Sequence, residues 1–235
     1  AYQVGIGFGE FENRISDFDA KLLIETIPLF HNVPRRQREL KEALAKAEPD
    51  RIEASKELLE YLKKFDNEML ELQRMKDEGI LPLRVTHNDT KANNLLFDHN
   101  DHPLCVIDLD TVMPGLAAND FGDSIRFGAS TALEDERDLS KVSCNLHLFD
   151  VYAKGFIEGC GGALTELEIE TLPLGAILMT FENGIRFLTD HLEGDHYFKI
   201  HREGHNLDRC RTQLTLVKDM QEKLPQMNEI IKKYK

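Results

Sequence analysis

The sequence contains no tryptophan and only four cysteines, and these small numbers exclude several classes of protein. Cys105, Cys144, Cys160 and Cys210 form no C-x-x-C pair, so neither a zinc ribbon nor a thioredoxin motif is present. We expect four reduced thiols, because disulfides are rare inside the cell. No apolar run is long enough to span a bilayer and no secretory leader is visible, so we expect a cytoplasmic protein.

Basic residues are also scarce in this chain. Lys and Arg total 29 against 42 Asp and Glu, which gives a net charge of −13. Nucleic acids and anionic membrane surfaces are bound by clustered positive charge, so the sequence predicts no partner of either kind. An acidic protein is compatible with a nucleotide when a cation accompanies it, and this is a first indication of magnesium.

The pattern that is present is mainly helical. Apolar residues recur at helical spacing in five regions, 8–23, 50–77, 146–156, 165–192 and 206–235. Gly79 is expected to end the second region, and Thr165 with Glu168 forms a capping box at the start of the fourth. Pro173 predicts a kink or a break within the fourth region, and Pro225 a disturbance in the last.

Strand pattern is visible in one place. The short apolar runs 94–97 and 104–107 flank the polar stretch DHNDHP, which predicts one β-hairpin among the helices. A hairpin brings the start of its first strand beside the end of its second strand. We therefore expect the residues just before and just after this hairpin to meet.

The residues on either side of the hairpin carry an unusual set of polar groups. THNDTKANN precedes the hairpin and places His87, Asp89 and Asn94 in the spacing H-x-D-x-x-x-x-N, and Asp108 of IDLDT ends the second strand. This spacing fits the catalytic and metal loops of ATP-dependent phosphotransferases. Asp89 is expected to accept the acceptor hydroxyl's proton, while Asn94 and Asp108 supply oxygen ligands for magnesium and thereby hold ATP. Lys91 is placed to reach the transferred phosphoryl group, and His87, Asp89 and Lys91 are the candidate catalytic residues.

An H-x-D triplet alone is common by chance, and Asp and Asn beside a hairpin are usually turn formers. Here three polar positions with the right spacing flank a hairpin of the right length, which favours the catalytic interpretation. The glycines of VGIGFGEF lack the G-x-G-x-x-G spacing and are interpreted as structural. The D-F-G at 120–122 lies too far beyond Asn94 to be a metal motif. The four histidines between 191 and 205 do not share a helix face, so we expect solvated or hydrogen-bonded side chains.

HNDTKANNLLFD followed by VIDLDTVMPGLAANDFGDSIRFGAS resembles the aminoglycoside-phosphotransferase and choline-kinase superfamily, and within it the N-acetylhexosamine 1-kinase group. The resemblance runs nearly end to end. It implies a mainly α protein with a small β-hairpin, one domain over 1–235 that forms the C-terminal lobe of a protein-kinase-like fold, with its catalytic and metal loops at 86–124. It also implies ATP and Mg²⁺ as cofactors, Asp108 as a metal ligand and Asp120 as a structural support of the loop. Asp120 and Asp123 are expected to cap the following helix and brace the catalytic loop.

The resemblance implies a sugar acceptor as well. In N-acetylhexosamine 1-kinases, the sugar ring and acetamide are bound by aromatic and arginine side chains in similar sequence positions. The matching residues here are Phe127, Arg186 and Tyr197, and together with Asp89 they are the candidates for substrate binding. The alternative is that Phe127 belongs to the core and Arg186 is a structural ion-pair partner. The implied activity is phosphorylation of an N-acetylhexosamine at O1. A kinase of choline, homoserine or an aminoglycoside is the alternative, although the lack of tryptophan counts against the aromatic cage that choline favours.

Members of this superfamily carry an N-terminal β lobe with a loop over the phosphates and a strand lysine paired with a helix glutamate. No strands of that kind are visible here, and the chain begins with Ala1 rather than Met. We therefore expect this lobe to be absent from the chain, which leaves a non-catalytic fragment as a further alternative. The face that would contact the lobe is expected to bind it or to promote self-association.

Overall fold

A computed structural model of the chain describes residues 1–65 and 68–235. The described α-helices are Tyr2–Arg14 (α1), Val33–Leu44 (α2), Pro49–Phe65 (α3), Glu71–Asp77 (α4), Ala117–Gly128 (α5), Leu146–Gly159 (α6), Glu166–Glu193 (α7) and His205–Lys232 (α8). Two antiparallel sheets of two strands each accompany them. Arg84–Thr86 (β1) pairs with Met113–Gly115 (β4), and Leu95–Phe97 (β2) pairs with Pro103–Val106 (β3). The prediction of a mainly helical fold with a small hairpin is confirmed.

Helix α7 is the centre of the packing, with α2, α5 and α8 laid against it. Most of its residues are apolar and buried, as expected of a helix that is surrounded by other elements. The predicted capping box is present: Glu168 N donates to Thr165 Oγ1 across 3.3 Å, and Thr165 N donates to the Glu168 carboxylate across 2.8 Å. Of the kink or break predicted at Pro173, a break is excluded, because the helix continues through Pro173 from Glu166 to Glu193.

Helices α1 and α6 approach each other closely through glycines. A Cβ atom on Gly155 would lie 2.2 Å from the carbonyl oxygen of Tyr2, and one on Gly9 would lie 2.3 Å from that of Phe156. Only glycine allows backbones to come this near. The glycine cluster of VGIGFGEF is therefore a helix-packing surface within α1, which confirms its structural interpretation. The predicted helix bounds 8–23 are wrong, since α1 ends at Arg14.

Several elements differ from the sequence prediction. The region 50–77 contains α3 and α4, and residues 66 and 67 between them lie outside the described residues. Helix α2 was not predicted, although its start carries a cap, because Arg35 N donates to the Asn32 side chain across 2.8 Å. The β1–β4 sheet was also missed, since strands of three residues are too short to show alternation.

All four cysteines are free, as the sequence predicts. Cys105 is exposed and the other three are buried. Burial raises the pKa of the Cys144 thiol to about 12, which makes it a poor nucleophile. None of the described helices is both long enough and apolar enough to cross a membrane.

Candidate functional site

The loop that carries the H-x-D motif runs from the end of β1 to the start of β2, and Asp108 follows β3. The backbone closes this arrangement, because Ile107 N donates to the carbonyl oxygen of Asn94 across 2.9 Å. Asp108 has φ of 66°, in the left-handed region that Asp tolerates better than most residues. The two ends of the hairpin meet as the sequence predicts.

Four predicted site residues form one cluster. Asp89 Oδ2 accepts hydrogen bonds from Lys91 Nζ at 2.7 Å and from Asn94 Nδ2 at 2.9 Å. The same Lys91 nitrogen lies 3.9 Å from Asp108 Oδ2. Burial opposes the charge on Lys91, but the hydrogen bond and charge of Asp89, with the charge of Asp108, raise the pKa of Lys91 above its usual value. The lysine is thus a fixed cation between the two carboxylates.

Asn94 and Asp108 carry the oxygen atoms able to hold a divalent cation. Asn94 is buried, and its Nδ2 donates both to the Asp89 carbonyl at 2.8 Å and to the Asp89 carboxylate. With its nitrogen held in this way, the amide presents Oδ1 as its metal-binding atom. The Asp108 side chain is half exposed and accessible. Carboxylate and amide oxygens are ligands that suit Mg²⁺, so this donor set fits the predicted cation.

His87 is completely buried behind the loop, with the rings of Phe8 and Phe11 against it. Its Nδ1 accepts the N–H of Asp89 at 3.2 Å, and its Nε2 is 2.9 Å from the carbonyl oxygen of Ile107. These partners place the single ring proton on Nε2. Both nitrogens are therefore engaged with the backbone, and His87 ties the H-x-D loop to the residue that precedes Asp108.

Asp120 supports the same loop from α5. Its two carboxylate oxygens accept the N–H groups of His87 at 2.6 Å and of Asn88 at 2.7 Å. Burial raises the pKa of Asp120 to about 6, although the two N–H donors favour its ionised form. The expected brace is found. The expected helix cap is wrong, because Asp120 lies inside the first turn of α5, whose cap position is Leu116.

A second carboxyl group lies beneath this brace. Glu12 of α1 is buried, and among the described residues neither of its oxygens has a hydrogen-bond partner. Burial and then the charge of Asp120 raise the pKa of Glu12 well above its ordinary value. Both effects favour the neutral acid form of Glu12 over its carboxylate form.

A cleft of about 370–430 Å³ opens on each side of Arg186. The larger, about 430 Å³, contains Asp89, Lys91, Phe127 and Arg186 in its lining. Phe127 is 49% exposed, so its assignment to the core is wrong. Arg186 donates to Asn183 Oδ1 at 3.3 Å and packs against aromatic rings, and among the described residues it forms no salt bridge within 4 Å of a carboxylate.

Tyr197 lies apart from Asp89. It lines the neighbouring cleft of about 370 Å³, and 73% of the residue is exposed. Its ring centre is 6.0 Å from the guanidinium carbon of Arg186, which the two clefts share. Of the three residues predicted to bind the sugar, the structure brings Phe127 and Arg186 into the cleft of Asp89, whereas Tyr197 lines the neighbouring cleft.

The sequence analysis missed an ion-pair network in the cleft that contains Asp89. Arg126 donates to Asp123 Oδ1 at 3.1 and 3.2 Å and to Glu134 Oε1 at 2.7 Å. Asp123 therefore holds Arg126 rather than the H-x-D loop. The spacing of three residues on one helix was a usable signal for the first pair. Glu134 lies in the loop that follows α5, and no local sequence pattern indicates that it pairs with Arg126.

The other motifs that the sequence analysis set aside as non-catalytic have local structural roles. The D-F-G triplet lies in α5, where Phe121 is fully buried in the core. Asp98 accepts the N–H groups of Asn100 and His102 and so forms the predicted turn of the hairpin. His205 Nε2 is 3.0 Å from the Asp135 carboxylate, which is a hydrogen-bonded histidine of the expected kind.

Comparison with known families gives one match. A family model described as the phosphotransferase enzyme family (APH) matches residues 7–141, which is more than half of the chain. The matched range includes the H-x-D loop, the hairpin, Asp108 and α5. Helices α7 and α8 lie outside it, and so do Arg186 and Tyr197.

Proposed function

The chain belongs to the phosphotransferase enzyme family, and we propose that it carries the site for ATP- and Mg²⁺-dependent phosphorylation of a hydroxyl group on a small molecule. The observation that supports this most strongly is the single cluster of Asp89, Lys91, Asn94 and Asp108. It combines a carboxylate that can take a proton, a cation, and two oxygen ligands. Phosphoryl transfer needs this combination, because positioning and charge neutralisation provide most of the catalysis.

In the proposed mechanism, Asp89 aligns the acceptor hydroxyl and takes its proton as the bond to the γ-phosphorus forms. The bond between that phosphorus and the bridging oxygen breaks, and ADP leaves. Lys91 and Asn94 hold the Asp89 carboxylate in place, and Lys91 is near enough to turn toward the phosphoryl group. When bound at Asn94 and Asp108, Mg²⁺ supplies neutralising charge for the triphosphate. His87 is a positioning residue, since both of its ring nitrogens hold backbone groups.

The acceptor proposed is an N-acetylhexosamine, phosphorylated at O1. Its anomeric hydroxyl is more acidic than an ordinary alcohol, so a single carboxylate base is sufficient. The cleft of about 430 Å³ is of the size that holds small ligands. In it, Phe127 offers an exposed ring face, and the forked donors of Arg186 suit the acetamide oxygen.

Choline, the principal alternative acceptor, fits this cleft less well. Quaternary ammonium groups are bound by empty aromatic cages. Here the rings of Phe30, Tyr197 and Phe198 already surround the guanidinium group of Arg186, at 5.8, 6.0 and 5.4 Å. That fixed positive charge would repel a second cation in the same place.

An acceptor screen tests the proposal. The protein, ATP and Mg²⁺ would be incubated with N-acetylglucosamine, N-acetylgalactosamine, choline, homoserine and an aminoglycoside, and products followed by phosphorus NMR. We expect a hexosamine 1-phosphate, recognised by its coupling to the anomeric proton. Phosphorylation of choline or of another sugar hydroxyl would contradict the acceptor assignment. No product with any acceptor, from a preparation that binds ATP, would contradict the reaction class.

We also propose that the triphosphate needs groups from a β lobe in addition to the described residues. The hairpin side chains Leu96 and Leu104 are 47% and 66% exposed and are the proposed contact for such a lobe or for a second copy of the chain. Residues 1–235 alone are expected to bind the acceptor but not to transfer phosphate at a useful rate. Binding is therefore best measured on residues 1–235, and turnover on the longest natural polypeptide that contains them.

A further inference from the structure

The peptide unit between Asn88 and Asp89 is held at both ends by histidines. Its N–H, which belongs to Asp89, donates to His87 Nδ1 across 3.2 Å. Its carbonyl oxygen, which belongs to Asn88, lies 3.0 Å from His31 Nε2. The Asp89 side chain is attached directly to this peptide, so the orientation of the peptide sets the direction of the carboxylate.

The other polar groups of Asn88 are already occupied. Its N–H donates to Asp120 Oδ1 at 2.7 Å, and its side-chain nitrogen donates to the carbonyl oxygen of Thr111 at 3.0 Å. Its φ of 64° lies in the left-handed region, which Asn adopts more readily than most residues. The carbonyl oxygen is held by His31, which lies just before α2.

The second ring nitrogen of His31 also faces an acceptor. His31 Nδ1 lies 3.3 Å from Glu182 Oε1 on α7, and the histidine side chain is only 7% exposed. A neutral imidazole has one N–H and can satisfy only one of two acceptors. Both contacts are made together only when His31 is an imidazolium ion. Glu182, as an anion, is the stronger acceptor and would keep the last proton.

The charges around His31 favour its imidazolium form. Burial disfavours its charged form, but the charge and hydrogen bond of Glu182 outweigh burial, with the Asn88 carbonyl and Asp123 helping, and the pKa of His31 is raised. Arg36 of α2 binds the same Glu182 oxygen at 3.2 Å and opposes the effect in part. The charged groups that face the ring or its carboxylate partner from neighbouring elements are Glu182 and Arg186 on α7, Arg36 on α2, Asp120 and Asp123 on α5, and, around the adjoining cavity, Glu25 and Lys76.

We propose that His31 is a positioning residue for the reaction: as an imidazolium ion it holds the Asn88–Asp89 peptide and aims the Asp89 carboxylate, and loss of its proton sets the alkaline limit of phosphotransfer. When the Nε2 proton leaves, the bare nitrogen lone pair faces the Asn88 carbonyl oxygen. The two groups repel, and the peptide loses its outer clamp. This inference rests on the proposed function, but the clamp itself can be tested without turnover.

The clamp is tested by NMR on residues 1–235 with nitrogen-15 in the histidine rings and the backbone. We expect both His31 ring nitrogens to be protonated at neutral pH. We also expect the amide signal of Asp89 to shift when His31 titrates at alkaline pH, and this shift to be absent from His31→Gln. A His31 ring with a single proton at neutral pH, or an Asp89 amide that ignores its titration, would overturn the proposal.

The consequence for catalysis is tested with three variants. His31→Gln should lower kcat by up to about 100-fold through misplacement of Asp89, with a smaller change in acceptor KM. Glu182→Gln should move the alkaline limb of the pH–rate profile, and the His31 titration, to lower pH. Glu39→Gln is the matched control, because Glu39 also pairs with Arg36, at 2.8 Å, without contacting His31. It should leave the limb in place.

These outcomes separate the inference from the proposed function. Thermal melting identifies any variant that does not fold, and Glu182→Gln then remains as the informative change. If the His31 titration moves in Glu182→Gln while the alkaline limb of the pH–rate profile does not, the proposed role of His31 in catalysis is wrong. A correct NMR result with no phosphorylated acceptor would contradict the proposed function and leave the clamp standing.

Discussion

The ammonium nitrogen of Lys91 lies 2.7 Å from Asp89 Oδ2 and so pairs directly with the proposed base. The same nitrogen is 3.9 Å from Asp108 Oδ2. One cation therefore contacts both carboxylates. Under the proposed function, Lys91 would exchange a carboxylate for a phosphoryl oxygen, because its ammonium is a point charge on a flexible stem.

Replacing Asp89 by Asn separates the role of its charge from the role of its shape. The amide keeps the size of the side chain but cannot accept the hydroxyl proton, so turnover should fall by about 10²- to 10⁴-fold. Acceptor KM should change only a few-fold. Steady-state kinetics decide this, with Asp138→Asn as a control, since Asp138 caps the short helix Leu139–Lys141 and pairs with Lys141, away from the cluster of Asp89. Near-normal turnover in Asp89→Asn would remove the residue from the base role.

Replacing Asp108 by Asn should weaken divalent cation binding. The change removes the negative charge from a proposed ligand, so the loss should exceed the roughly tenfold effect of losing an outer-shell partner. Mn²⁺ added to residues 1–235 should broaden the NMR signals around Asn94 and Asp108 in the wild type at lower concentrations than in the variant. Asp101→Asn, in the turn of the same hairpin, is the control. Equal broadening in all three proteins would contradict the metal site.

The sequence predicted correctly that the H-x-D loop and Asp108 lie close together, because a hairpin joins them. The strands are short, the turn residues are local, and their ends must meet whatever the rest of the chain does. The contact of His31 with Glu182 joins residues 151 positions apart on different elements, and no periodicity in either segment indicates the partner. Likewise the glycines of α1 were correctly interpreted as structural, but the sequence did not indicate that α6, far along the chain, is the helix that packs against them.

Asp120 should link catalysis and stability to pH in opposite directions. Its pKa in the folded protein is about 6, above its ordinary value of 3.8, so the folded state holds the proton more tightly. The stability from that proton is complete below the unfolded pKa and is lost as pH rises through about 6. The loop, however, needs the ionised carboxylate to accept two N–H groups, so turnover should rise over the same range. The pH–rate profile should show an acid limb near pH 6 that disappears in Asp120→Asn. An unchanged limb in that variant would contradict this origin.

Gly155 tests the packing of α1 against α6. An alanine Cβ there would lie 2.2 Å from the Tyr2 carbonyl oxygen, so Gly155→Ala should destabilise the fold by about 1–3 kcal/mol through overpacking. Gly128→Ala is the matched control, because its Cβ would meet no atom within 4 Å. Alanine favours helix over glycine by up to about 1 kcal/mol, so the control should be neutral or stabilising. Urea unfolding gives both values, and equal effects would show that the close approach does not matter.

Arg186 provides the sharpest test of the acceptor, because its role predicts a difference between two sugars. In the wild type, residues 1–235 should bind N-acetylglucosamine more tightly than glucose, which lacks the acetamide. Arg186→Lys keeps the positive charge but loses the forked donors, and one lost hydrogen bond is worth about 0.5–1.5 kcal/mol. The preference for N-acetylglucosamine should therefore shrink by about two- to tenfold, while glucose binding changes little. Tyr197→Phe is the comparison, since the Tyr197 ring contacts Arg186 from the neighbouring cleft and its hydroxyl is not needed for that contact. Calorimetric titration of the three proteins with both sugars measures the effect. If Arg186→Lys retains the full preference, Arg186 does not bind the acetamide, and the N-acetylhexosamine assignment loses its main support.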